Sequence, residues 1–194
     1  MNTALATTLL PTWLRQRWAD DATRCFKDVE ARAAWVIALS QFNVAQGTGG
    51  PFAAAVFDAE QNTLIAVGVN RVVPLNASAA HAEMVAITLA QHRLQSFDLG
   101  AANMPVCELV TSTEPCAMCF GALPWSGIRQ LVCCAHAEDA TAIGFDEGPR
   151  HPDWITQLEQ RGMQVTTSIC RDQAAHVLQH YQQQQGTIYN ARQA

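Results

Sequence analysis

Two short runs of the sequence hold residues whose types and spacing suit chemistry: His81-Ala82-Glu83 and Pro115-Cys116-Ala117-Met118-Cys119. Two thiols three residues apart on the first turn of a helix can reach one ion, and a histidine from a neighbouring helix adds a third ligand. Three protein ligands leave one tetrahedral position for water, the arrangement of a catalytic rather than a structural zinc site. Imidazole and thiolate donors suit zinc better than magnesium or calcium. The expected cofactor is therefore one Zn2+ per chain, held by His81, Cys116 and Cys119. Glu83 stands two residues after His81, so on a regular helix it points elsewhere than the histidine. Its expected role is general acid and base: it takes a proton from the attacking water and delivers it to the substrate. Ligands at helix N-termini keep the site electropositive despite two thiolates.

Each half alone has a plainer reading. A single CxxC is as readily structural, and His-Ala-Glu in a helix is most often surface. Cys133 and Cys134 are adjacent in an apolar strand and read as packing, as do Cys25, Cys107 and Cys170.

The elements that must position these groups alternate along the chain. Helical spacing of Ala33, Val36, Ile37, Ser40 and Val44 predicts a helix over Asp28 to Gln46, stopped by Gly47 to Gly50. Pro51 to Asp58 and Leu64 to Asn70 read as a hairpin around the polar turn Ala59 to Thr63. A helix over Ala79 to Leu94 follows, then a strand at Glu108 to Thr111 and a helix at Pro115 to Leu123. Gln130 to Ala135 reads as a strand, Pro152 to Arg161 as a helix, Met163 to Ile169 as a strand and Asp172 to Gln185 as a helix. Strands separated by helices imply parallel neighbours with helices on both faces. The expected fold class is thus α/β, a three-layer α/β/α sandwich around a mixed five-stranded sheet, in a single domain over 1–194 with a helical N-terminal extension to about residue 23 and a tail from about 187.

Composition limits the partners. The net charge is −5 and the basic residues are scattered, whereas nucleic-acid binding relies on a basic face. A free small molecule is the expected substrate, with no nucleic acid and no membrane. Met1 to Asp20 is too broken in hydropathy for an export signal or a span, so a cytoplasmic, reducing location is expected and the seven cysteines are thiols or metal ligands.

His-x-Glu opening one helix and Pro-Cys-x-x-Cys opening the next together form the zinc deaminase signature. Over roughly Pro51 to Ala135 the chain resembles the cytidine deaminase-like superfamily. It is most similar to the guanine deaminase branch, on Pro51-Phe52-Ala53-Ala54-Ala55-Val56, Ala80 to Glu83, Thr113 to Ala122, Trp125, Gly144-Phe145-Asp146-Glu147 and Ile188-Tyr189-Asn190. The resemblance extends to bacterial members that also accept the triazine ammeline. It implies guanine hydrolysed to xanthine and ammonia. Phe52 would stack on the purine and Asn70 would bond its ring edge. His81 would touch the base as well as the metal, with the Ala82 backbone against the base carbonyl. Trp125 would wall the pocket, and Glu147 would be a second carboxylate near the leaving amine. It also implies a homodimer whose C-terminal tails, exchanged or not, cover the active sites through Tyr189.

From the residues alone, Glu147 reads first as a loop charge, Asn70 as a turn residue, and Phe52 and Trp125 as core. Asp146 reads as structural. Ile188 and Tyr189 are apolar where a tail is usually polar, so they pack either over a pocket or on their own surface. The competing functions are deamination of another base (cytosine, tRNA adenosine or a pterin) and a non-catalytic zinc module. Glu83 argues against the latter, since it adds nothing directly to zinc affinity.

Overall fold

A computed structural model describes residues 3–191. Its strands are β1 (Ala53–Asp58), β2 (Thr63–Val69), β3 (Cys107–Thr113), β4 (Gln130–Ala135) and β5 (Gln164–Thr166). They form one sheet in the order β2-β1-β3-β4-β5. The β1–β2 and β1–β3 pairs are antiparallel, and β3–β4 and β4–β5 are parallel. The mixed five-stranded sheet is as expected. Consecutive residues Ala53 to Phe57 are all fully buried. Because strand neighbours point to opposite faces, both faces of the sheet must be covered.

The helices that cover it are α3 (Val29–Ala45) and α9 (Arg171–Gln183), which pack together over β1, β3 and β4, and α5 (Ala82–Leu94), which crosses β1 and β2 with α6 (Ala117–Ser126) beside it. Gly68 allows that approach: a Cβ there would overlap the Ala82 carbonyl and lie 2.6 Å from the Ala86 nitrogen. Two helices, α1 (Thr3–Leu9) and α2 (Thr12–Asp20), make the described part of the N-terminal extension. Leu10, Leu14 and Trp18 bury it in the common core. Met1, Asn2 and residues 192–194 lie outside the described residues.

Several boundaries differ from expectation. α5 begins at Ala82, not Ala79, because Ala80 turns back to accept a bond from the Arg71 N–H and His81 is extended. α6 runs through Pro124 and stops at Gly127, which takes the left-handed φ of +77°. β5 has three residues rather than seven: it is an edge strand with one half-buried side chain, Val165, so the apolar pattern around it overstates its length. Three short helices, α4 (Val72–Leu75), α7 (Ala137–Thr141) and α8 (Trp154–Glu159), complete the chain. α4 and α7 are too brief to leave a periodic signal. Among the described residues no helix is long and apolar enough to cross a membrane.

Candidate active site

The two ligand motifs meet because each sits at the mouth of a helix. His81 is the N-cap of α5 and Cys116 the N-cap of α6, both in extended backbone and neither bonding its own helix through its side chain. Ser, Thr, Asp and Asn usually take that position and cap the orphan amides. Here the side chains turn toward one another instead. His81 Nδ1 lies 3.5 Å from Cys116 Sγ and 3.7 Å from Cys119 Sγ. All three donor atoms fall within 4.8 Å of each other, and among the described residues no other joins the cluster. A tetrahedral zinc with ordinary Zn–S and Zn–N lengths separates N from S by about 3.6 Å. The donor set therefore fits zinc in chemistry and in spacing.

Glu83 is buried and lines the same pocket as His81. The helical offset that would turn it away does not apply, because His81 lies outside the helix in extended backbone. Burial, and next the Cys116 thiolate, push the Glu83 carboxyl up to about 7. Glu147 lines the pocket too, and burial followed by Cys116 and Glu83 pushes it up to about 8. The Cys116 thiol is held down to about 4, chiefly by a hydrogen bond from Cys119 and then by His81. The site thus contains a stabilised thiolate and two carboxyls that can carry protons near neutral pH, the state that acid–base catalysis needs. A bound zinc neutralises thiolate charge and so lowers both carboxyls.

The cavity holds about 230 Å³, below the size of drug-binding pockets and suited to a single small ring system. Phe52, Asn70, Ala82, Glu147 and Tyr189 all line it alongside His81, Glu83 and Cys116. Asn70 is 1 % exposed, and its amide nitrogen donates to the Tyr189 hydroxyl at 2.6 Å. Its carbonyl is held by Asn43 Nδ2 at 3.0 Å; Asn43 Oδ1 accepts from Thr48 Oγ1, which in turn accepts from Trp13 Nε1. The N-terminal helices thereby brace the Asn70 end of the pocket. Segment 187–191 reaches the pocket of its own chain, where Tyr189 packs against Phe145 at 5.0 Å and His81 at 6.3 Å.

Two expectations are corrected. Trp125 is 85 % exposed and lies in a separate groove with Pro124, Ile128 and Arg129, because it projects outward from the last turn of α6. Cys25 is exposed rather than packed, in a bridge to Thr63 ahead of α3. Asp146, read as structural, has a side chain that accepts the Gly148 N–H at 2.8 Å, and the residue also lines the pocket. Sequence reasoning assigned no role to Phe145 and missed Asn43. Phe145 packs against Phe52, Tyr181 and Tyr189, and its only signal was its place in the Gly-Phe-Asp-Glu run.

Residues 30–138 match the family model of the cytidine and deoxycytidylate deaminase zinc-binding region. The chain belongs to this deaminase family. A guanine deaminase from Bacillus subtilis (strain 168) is 38 % identical over 125 residues, 64 % of this chain and 76 % of the relative. The solved structure of a guanine deaminase from Nitrosomonas europaea is 51 % identical, covering 90 % of this chain and 94 % of its own, with a TM-score of 0.85. Another structure, in complex with 2,6-diaminopurine, is 53 % identical over 99 % of this chain and 100 % of its own, with a TM-score of 0.88. The deaminase fold and its zinc-binding region span both helices, and His81, Cys116 and Cys119 are the cluster within it that could hold the metal.

Proposed function

We propose that this deaminase hydrolyses guanine to xanthine and ammonia. The observation that carries the reading is the convergence of Asn70, Glu83 and Glu147 on the pocket lined by His81 and Cys116. The similarity to guanine deaminases supports it. When bound, zinc supplies Lewis-acid activation of water. Phe52 and Asn70 hold the flat base by ring contact and by hydrogen bond, with the Ala82 backbone against its carbonyl. Glu83 accepts the proton released as water adds to C2 and passes it to N3. Glu147 gives the exocyclic amine the proton it needs before the C2–N bond breaks, and the new C2 hydroxyl gives up its proton to the carboxyls as ammonia leaves, which restores Glu147. Water and guanine become xanthine and ammonia, and both carboxyls return to their starting states. Tyr189 excludes solvent from this exchange, which strengthens every polar contact inside.

The same reading gives a homodimer in a reducing cytoplasm, with no nucleic-acid or membrane partner. The exposed Trp125 supports a partner surface, and all seven cysteines are unpaired. The tail reaches its own pocket, so exchange between subunits is not required. Ammonia release from guanine, ammeline, cytosine and adenosine by the zinc-loaded protein tests the substrate. Guanine is expected to give the highest kcat/KM, with ammeline second. A preference for cytosine or adenosine overturns the reading.

A further inference from the structure

Asn190 stands next to Tyr189 but serves a different part of the site. Its Oδ1 accepts the Asp146 backbone N–H at 2.9 Å, and its Nδ2 donates to the Gly144 carbonyl at 2.8 Å. A side-chain amide has one carbonyl and one NH2 group, so it can pair with a peptide chain as another strand would. Asn190 uses both on the loop that carries Glu147. That loop has a second anchor on the metal side, where the Ala117 N–H at the start of α6 donates to the Glu147 carbonyl at 2.8 Å. Gly144 and Gly148, at φ of +105° and +68°, stand at the two ends of the anchored stretch. Positive-φ glycines are conformationally permissive ends. The Gly144 and Phe145 N–H groups hold the start of the loop to the Thr141 and Ala140 carbonyls at 3.0 and 3.2 Å, and the pair of bonds from Asn190 ties the Gly144 carbonyl and the Asp146 N–H to the tail.

We propose that Asn190 is a positioning residue for Glu147. It fixes the Glu147 loop from the tail side, so that seating of the tail and placement of the carboxylate are one event. Asn190 Oδ1 and one of its two amide hydrogens are engaged by backbone, so its role in this proposal is to hold the loop rather than the base, although the residue borders the pocket. The inference rests on the deaminase reading above, in which Glu147 serves departure of the amine.

The test is a double-mutant cycle on the zinc-loaded full chain, comparing wild type, Asn190→Ala, Glu147→Gln and the double variant on whichever base the wild type deaminates. Asn190→Ala is expected to lower kcat roughly 10-fold, the scale of two ordinary hydrogen bonds, with KM, zinc content and Tm nearly kept. In the Glu147→Gln background the same substitution is expected to cost nothing further, because its effect runs through that carboxylate. Asn190→Asp, which keeps the acceptor for Asp146 but loses the donor to Gly144, is expected to fall between. An equal kcat loss in both backgrounds overturns the proposal, as does a raised KM at unchanged kcat. Absence of guanine turnover by the wild type refutes the substrate reading instead, and the ratio between backgrounds on the preferred base still decides the role of Asn190.

Discussion

Replacing Tyr189 by phenylalanine removes one oxygen atom and leaves the ring able to keep its contacts with Phe145 and His81. The lost atom is the acceptor for the Asn70 amide nitrogen, and Asn70 is 1 % exposed, so water cannot replace it while the tail is seated. A buried donor left without a partner costs about 1–3 kcal/mol. At about 1.4 kcal/mol per decade, the equilibrium for seating the tail shifts by about 5- to 150-fold. When the tail is released, Asn70 meets solvent and the penalty disappears, so the whole cost falls on the closed form. Apparent affinity falls in proportion to the fraction in the competent form. The expected outcome of Tyr189→Phe is therefore a KM for guanine raised within that range. The kcat should change little, since in the closed form that saturating substrate selects, the tail is seated and Glu83 and Glu147 stand as in the wild type. The loss of guanine absorbance gives both constants, and zinc content and Tm serve as controls. A normal KM accompanied by a lowered Tm refutes the reasoning and makes Tyr189 a docking residue on its own surface.

Cys116→Ala is expected to lose zinc and activity together and to lower Tm, because metal binding free energy contributes to folding; metal analysis that finds a full complement of zinc in this variant rejects the ligand set. Glu83→Gln should keep zinc and fold but lose about 10²–10⁴-fold or more in kcat, as an amide cannot shuttle protons. Gly68→Ala should destabilise by about 1–3 kcal/mol, since the new methyl forces α5 away from β2 and takes His81 and Glu83 with it; an unchanged denaturation midpoint would contradict the packing described. The pH prediction concerns the metal-free protein. Glu147 titrates at about 8 when folded against an ordinary 4.5, so the folded chain binds the extra proton between those values. Its contribution is fully present below about 4.5 and is lost as pH rises through 8, at up to about 1.4 kcal/mol per pH unit. Relative to Glu147→Gln, wild-type stability is expected to decline over that window, and a flat difference shows that the carboxyl is not raised.

The metal site was legible because its information is local: His81-Ala82-Glu83 and Cys116-Ala117-Met118-Cys119 state donor type and spacing within a few residues. The central strands were legible because β1 and β4 are short apolar runs bounded by polar turns. Asn43 was not readable, since its bonds reach Gly50 and Asn70 and only the folded chain brings those carbonyls together. Trp125 misled because a tryptophan one helical turn beyond Gly121 has no sequence mark of facing outward. The orientation of Glu83 was missed for a similar reason: whether His81 lies on the helix or just before it is set by the turn at Ala80.

The caps of α5 and α6 have a consequence for how the molecule loosens. With His81 and Cys116 drawn to a common ion, zinc becomes the clasp that holds the first turns of two helices, in place of the hydroxyl or carboxamide that a helix start normally uses. Chelation then unties both ends at once. Fraying is expected to begin at Ala82 and Ala117, with amide hydrogen exchange quickening there before it does in the sheet. Glu83 rides on that first turn, so loss of the ion is expected to loosen its place in the pocket as well, and reloading the metal to restore both together.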